Sequence, residues 1–387
     1  MNTKSVNAVC LVAASPNDEA SDTHWYRPAL DQHLFQAACD AGVDCQEGIR
    51  VTGVRPHSNG GITIHCSDAP PVTTNIVIDA SGSAAVTAEH FGNADWTDRL
   101  HTRTGTAFAH FSGIGSYSKA ENNRYGDDRA TRPFDADDAA QHHLLDTGWM
   151  WMLRMNHDIT SVGITVPIGF SASVRQRQIQ DATSMLENRC ARYPRLAQLF
   201  RTAHQVAPDG GVATIGRIQR WLDPVGSTNC VLLPTTAVTL DPLHSTGIAH
   251  ALAGVERLAE LLLTRVDNES LAEYRRVLIA ETEHLDRMVA LAYTVMPSFR
   301  RFTAACMIYF AAAIACEEAI TAGESPACLW LADDPAFRDL VRHSPDLFRE
   351  DDDDAMIDGL RRRLQPWNTV GLLDDSLHNR YAYTATK

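Results

Sequence analysis

Up to Asp241 the chain alternates short apolar runs with Gly, Asn and Asp turns; beyond it, apolar positions recur at helical spacing almost throughout. Residues 28–41 set Leu30, Leu34 and Ala38 on one face, with Pro28 in the first turn and Gly42 as a stop, which predicts a helix. Residues 49–54 and 61–66 read as strands of a hairpin turning through Ser58-Asn59-Gly60-Gly61. Residues 74–79 (TNIVID) form a buried-strand pattern ending at Ala80-Ser81-Gly82, a tight turn expected to lead into a helix reaching Phe91.

Residues 104–114 are strand-like, and 116–138 form a long polar excursion with little pattern. Residues 149–153 and 160–167 then predict a strand pair across Asn156-His157-Asp158. Helices are expected at 172–190 and 194–203, and strands near 212–221 and 229–233. The acidic run 350–354 precedes a helix ending Arg361-Arg362-Arg363, an arrangement that complements the helix dipole.

Composition narrows the function classes. The 387 residues carry a formal charge of −14, and lysine occurs only at 4, 119 and 387. A surface that tracks nucleic-acid phosphates needs basic patches, so no nucleic-acid partner is expected. The longest apolar run, 302–316, is closed by Glu317 and Glu318, falls short of the ~20 residues that span a bilayer, and reads as a buried helix. The apolar stretch 6–14 behind Lys4 is too short for a signal peptide and reads as a strand. Nine cysteines without a Cys-x-x-Cys pair read as reduced core residues, and His142, His143 and His284 have no metal-spaced partner. These features predict a cytoplasmic protein with no membrane span and no metal site.

Most catalytic signatures are absent: the sequence has no Gly-x-Ser-x-Gly elbow, no His-Glu-x-x-His and no Walker loop. Gly113-Ile114-Gly115 is its only Gly-x-Gly, and Ser118 stands where a third glycine would be, so it is not read as a dinucleotide loop. The strongest local signal is 229–256. An apolar strand enters a loop, and Asp241-Pro242-Leu243-His244-Ser245-Thr246-Gly247 opens a long apolar helix. Free N–H groups at that helix start, with Gly247 permitting close approach, suit an anionic or electron-rich ligand edge. A Ser/Thr-capped helix after a proline turn explains the same residues without a ligand.

The 229–256 segment resembles the third flavin motif of the FAD-dependent monooxygenase and halogenase superfamily: a strand, Gly-Asp-Ala, then Asp-Pro and Ser-x-Gly before a helix. Tyr26-Arg27-Pro28, with Leu30-Asp31, Leu34 and Gly42-Val43, is similar to the family's arginine-led helix. Residues 76–82 (IVIDASG) resemble the strand and turn that close the FAD-binding part. Gly148-Trp149-Met150-Trp151-Met152-Leu153, with Ser161-Val162-Gly163, resembles the halogenase Trp-x-Trp-x-Ile-Pro strand and its neighbour. The tail, Asn368-Thr369-Val370-Gly371-Leu372 with His378-Asn379-Arg380-Tyr381, is similar to the ends of halogenase-like oxidoreductases. These pieces fall in the family's order from about residue 25 to 383.

The resemblance implies FAD, contacted by Arg27, by Ser81 and Gly82 of the turn, by Thr235 at the acid position of Gly-Asp-Ala, and by Asp241, Pro242, Ser245, Thr246, Gly247 and Ile248. It implies that Trp149 and Trp151 wall an aromatic substrate; His244, near the flavin edge so implied, is a candidate general base because imidazole titrates near neutrality. Read from the residues alone, Trp149 and Trp151 are equally sheet packing, Arg27 a helix-start cation, Asp241 a turn cap and His244 a bonded loop residue.

The departures are specific. The family opens with a strand, Gly-x-Gly-x-x-Gly and a helix, and this sequence matches from a point roughly a hundred residues into that pattern. A parallel sheet without those elements is expected to expose an apolar edge. Thr235 replaces an acid, Arg154 replaces the proline of Trp-x-Trp-x-Ile-Pro, and His244 replaces the acid that tryptophan halogenases carry before Ser-Thr-Gly. None of the three lysines matches the one with which halogenases hold hypohalous acid.

The expected fold is α/β grading into α+β: a partial FAD-binding dinucleotide-type sheet (1–100), an antiparallel substrate-binding sheet (101–222), a return to the FAD-binding part (223–265) and a helical C-terminal region (266–387). The expected function is FAD-dependent oxidation of an aromatic or electron-rich small molecule, with an incomplete FAD site and a flavin reductase as partner. The alternatives are a non-catalytic remnant that binds a small molecule, or one chain of a truncated or split flavoenzyme.

Overall fold

A computed structural model describes residues 10, 24–58, 60–119, 135–264 and 266–377. The chain divides into two compact units interleaved along the sequence, one built from 26–101 and 219–286, the other chiefly from 102–218 and 287–377.

The first unit opens with α1 (Arg27–Asp40), which buries none of its residues. The expected face of Leu30, Leu34 and Ala38 is a surface stripe, with Leu34 56% exposed. Strands β1 (Val51–Pro56), β2 (Ile62–Cys66) and β3 (Val72–Thr74) form an antiparallel sheet in that order, the first two joined by the expected hairpin. The stretch 74–79 is not one strand: β3 ends at Thr74, and β4 (Val77–Asp79) belongs to a different sheet. The helix expected to reach Phe91 is also broken. A 3₁₀ turn (Gly82–Ala84) ends at Ala85, whose φ of 41° is left-handed, and only α2 (Ala88–Phe91) follows.

The second unit then begins with β5 (Thr104–Ser112), β6 (Gln141–Leu145), β7 (Gly148–Met155) and β8 (Ile159–Pro167). The excursion at 116–138 lies largely outside the described residues. Strands β7 and β8 pair across the expected three-residue turn, where His157 and Asp158 both take positive φ. Helices α3 (Ala172–Glu187) and α4 (Pro194–Leu199), then β9 (His204–Ala207) and β10 (Ala213–Ile215), complete a six-stranded sheet of order β10-β5-β8-β7-β6, with β9 also on β5. Alternation sends Ala107, Ala109, Met150, Met152, Val162 and Ile164 to one face, where they pack with Ile179, Leu186, Leu196 and Leu199 of the two helices.

The chain returns to the first unit through β11 (Arg220–Trp221), β12 (Val225–Ser227), β13 (Cys230–Leu232), α5 (Pro234–Ala237) and β14 (Val238–Thr239). Strand β13 lies parallel to β4, Cys230 opposite Val77 and Leu232 opposite Asp79. Helices α6 (Gly247–Thr264) and α7 (Asn268–Val295) follow. Leu258 of α6 packs with Leu271, Tyr274 and Leu278 of α7 under Val231. The opposite side of α6 carries an exposed apolar row, Ile248, Leu252, Val255 and Leu262, and Ile78 of the sheet-edge strand β4 is also exposed.

In the second unit, α8 (Phe299–Thr321) could cross a membrane by length and composition alone. Most of its residues between 302 and 316 are buried, as in a core helix. Helices α9 (Pro335–Leu347) and α10 (Asp353–Leu364) close the chain; Asp352 caps α10, and Arg301 at the start of α8 bonds Asp353 at 2.6 Å. The acidic run thus joins two helices as well as facing a dipole.

Candidate functional site

Two constellations matter, one in each unit. In the first unit, parallel β4 and β13 end side by side in tight turns. The Asp79 carboxylate, 3% exposed, accepts bonds from Ser81 N (2.8 Å), Thr87 N (2.9 Å) and Thr87 Oγ1 (2.7 Å). Burial alone would raise its pKa, but these bonds to the charged form outweigh it and hold the carboxyl below the usual range. Gly82, at φ +61° with open space where a Cβ would sit, donates its N–H to Thr236 Oγ1 of α5 at 3.0 Å.

A carboxylate with a depressed folded pKa stabilises the fold above its unfolded pKa, and that contribution is lost as pH falls through the folded value. Asp79→Ala is therefore expected to cost about 2–3 kcal/mol at pH 7 and less under acid, read by urea unfolding at several pH values. An equal loss at every pH would contradict this assignment.

Further along the unit, Asp241 is buried and caps the 3₁₀ turn Pro242–His244, accepting Leu243 N at 3.1 Å and Gln219 Nε2 at 3.4 Å. His244 and Thr246 are buried, whereas Ser245, Gly247 and Ile248 face outward. Ser245 takes φ +54°, and nothing lies within 4 Å of the missing Gly247 Cβ, so the backbone entering α6 is open to approach. Thr235 is exposed on α5, and Arg220 Nη2 bonds its carbonyl at 3.0 Å. Arg27 lies on the exposed first turn of α1, paired with Asp31 at 2.8 Å.

In the second unit the face of the sheet opposite its helices carries the tryptophans. Trp149 and Trp151 are next-but-one on β7, their rings 5.9 Å apart. Trp149, 1% exposed, donates its indole N–H to the Tyr293 hydroxyl at 2.7 Å. Trp151 reaches Ser161 Oγ at 3.3 Å and lies 6.5 Å from Phe108. Both Trp151 and Phe108 stand opposite Gly163 on β8, and a Cβ there would sit 2.1 Å from the Trp151 ring. Glycine is required because the indole lies flat over the β8 backbone.

Arg154, at the position of the motif's proline, bonds Asp137 and the Ile114 and Gly115 carbonyls, so it clamps a loop. Gly113, expected not to form a dinucleotide loop, lies against Thr202, its missing Cβ 2.7 Å from that carbonyl oxygen. Its surroundings are packing. The sequence reading took His142 on β6 only as a histidine without a metal-spaced partner, and it missed a buried cluster of Glu281, Arg257 and His250 between α6 and α7. Charged residues on amphipathic helices read as solvated, so only helix pairing exposes that cluster.

Comparison with known proteins places this geometry in a family. The tryptophan halogenase family model matches residues 23–300, and the chain belongs to that family. Tetracycline 7-halogenase of Kitasatospora aureofaciens is 24% identical over 277 residues, 69% of this chain and 48% of the relative. Monodechloroaminopyrrolnitrin halogenase PrnC of Pseudomonas fluorescens is 24% identical over 294 residues, 73% of this chain and 49% of the relative. The chain thus spans about half the length of the curated relatives it matches. Among solved structures, halogenase PltM in complex with phloroglucinol and FAD superposes with a TM-score of 0.78 at 18% identity, over 97% of this chain and 83% of that one. The flavin-dependent brominase Bmp2 gives 0.60 at 14% identity, over 84% and 75%. The expected mixed α/β class, with several sheets and a helical C-terminal region, is the fold these halogenases share.

Proposed function

We propose that this chain orients an electron-rich aromatic molecule for FAD-dependent oxidation of the halogenase type. The observation that carries this reading is the half-buried pair Trp151 and Phe108 opposite Gly163, backed by the buried Trp149, a surface suited to stacking a planar ring. The first unit is the cofactor-handling part. Its open backbone at Gly82 and Gly247 fits close approach by a large planar ligand, and Arg27, Ser81, Thr235, Asp241, Pro242, Ser245, Thr246 and Ile248 are the further residues that would hold FAD.

FAD, when bound, supplies two-electron chemistry with oxygen. The protein's part is to hold the ring, keep water from it and remove a proton. In the first unit Asp79 and Asp241 fix the two turns and His244 is the candidate proton acceptor; in the second unit Trp151 orients the aromatic ring. Thr235 at the acid position favours a second reading, a protein that keeps the aromatic site without turnover.

The visible spectrum of the purified chain, before and after soaking with FAD and desalting, separates the two. A retained, structured flavin band is expected, followed by halide-dependent product formation once a flavin reductase and a hydroxyarene are added. A chain that stays colourless while still binding the arene would overturn the catalytic reading in favour of the binding one.

A further inference from the structure

Strand β6 carries two adjacent histidines with opposite surroundings. His143 stands opposite Met150 on the side of the helices, with Gln141 Oε1 at 3.1 Å and the Tyr117 ring at 5.6 Å. His142 stands opposite Trp151 and so shares the tryptophan face. Its ring meets Trp149 edge-on, centroids 4.7 Å apart at 60°.

His142 is accessible to solvent, yet burial pushes its imidazole down to about 4. The imidazole is therefore uncharged at neutral pH. Neither ring nitrogen has a hydrogen-bond partner among the described residues, whereas both indole N–H groups are already committed, to Tyr293 and Ser161. The half-buried Trp151 therefore offers a ring face, and His142 offers the polar contact.

We propose that His142 determines specificity at this wall by accepting a hydrogen bond from the hydroxyl of an aromatic substrate stacked on Trp151, its cross-strand neighbour. The inference rests on the substrate-side reading of the preceding section and names its substrate class, hydroxyarenes. A neutral imidazole carries one proton and presents one bare nitrogen. So weak a base leaves the hydroxyl proton in place. By polarising the O–H bond it raises electron density on the ring carbons ortho and para to it, where an electrophile attacks. An arene without a donor leaves that nitrogen unpaired, and a site built to bond a hydroxyl rejects such analogues strongly.

The test is calorimetric titration of the full chain with 3,5-dihydroxytoluene and with 3,5-difluorotoluene, similar in shape but without a donor. Wild type is expected to bind the diol at least about tenfold more tightly. H142F should bind both alike, with difluorotoluene affinity unchanged, and H142Q, whose amide oxygen can accept, should recover part of the preference. A wild type without preference, or an H142F that keeps it, overturns the role of His142 while leaving the aromatic wall standing. Failure of both arenes to bind wild type overturns the wall reading and this inference together. The wild-type comparison alone decides should H142F not fold.

Discussion

Replacing Glu281 by alanine is expected to cost about 3–5 kcal/mol of unfolding free energy. Glu281 is fully buried, takes Arg257 bidentately at 2.8 and 3.1 Å, and has His250 Nε2 at 3.2 Å. Burial pushes its carboxyl up, but His250 and Arg257 outweigh burial and hold it below the ordinary glutamate range. A depressed folded pKa means that the stabilisation is present above the unfolded value and lost as pH falls through the folded one. The alanine variant should therefore lose most at neutral pH.

What breaks is the joint between α6 and α7, which Tyr274 extends to β13 by donating to the Leu232 carbonyl at 3.0 Å. Since α6 begins at the open turn of Ser245 and Gly247, the same variant should bind FAD less tightly. The triple variant E281L/R257M/H250L leaves no buried charge unpaired and should recover most of the stability. Urea unfolding followed by circular dichroism measures both; a single variant within about 1 kcal/mol of wild type would show that the cluster contributes little.

The second large effect is expected at Gly163. An alanine Cβ would sit 2.1 and 2.2 Å from Cζ2 and Cη2 of Trp151, so the indole must leave the β8 backbone and give up its bond to Ser161. Overpacking of this kind costs about 1–3 kcal/mol. If Trp151 stacks an arene as proposed, the functional loss should be larger, with arene affinity falling by about tenfold or more. Tryptophan emission reports the displacement directly. In a Trp151→Ala background the clash has no partner, so adding Gly163→Ala should change stability little. A Gly163→Ala cost that persists without the indole would place the strain in the backbone instead.

The parts legible in the sequence are those with local causes. The β7–β8 hairpin follows from alternation and a polar turn, and α1 from Pro28 and Gly42. The element at 141–145 was not readable, because two adjacent histidines interrupt the apolar alternation that marks a strand, and β6 owes its existence to pairing with β7. The helix expected to reach Phe91 fails for a tertiary reason: Asp79 captures the N–H and hydroxyl of Thr87 and holds the chain in a turn. In the candidate site, the motif residues of β4, β7 and α6 were legible because they repeat a family pattern. His142 and Glu281 were not, since each takes its meaning from a neighbour distant in the chain.

The interleaving of the units also sets an order in time. Val77 of β4 pairs with Cys230 of β13, and every strand of the second unit among the described residues is synthesised between them. Within that inserted sheet β6–β7 and β7–β8 are neighbouring antiparallel hairpins of low contact order and can form as they emerge, whereas the pairings of β5 with β8, β9 and β10 are non-local. Strand β4 must wait for its parallel partner, on the order of ten seconds at ordinary ribosomal rates. The first unit thus closes only after the second unit's sheet has been made, and until then its apolar strand and turn are a surface the nascent chain leaves open.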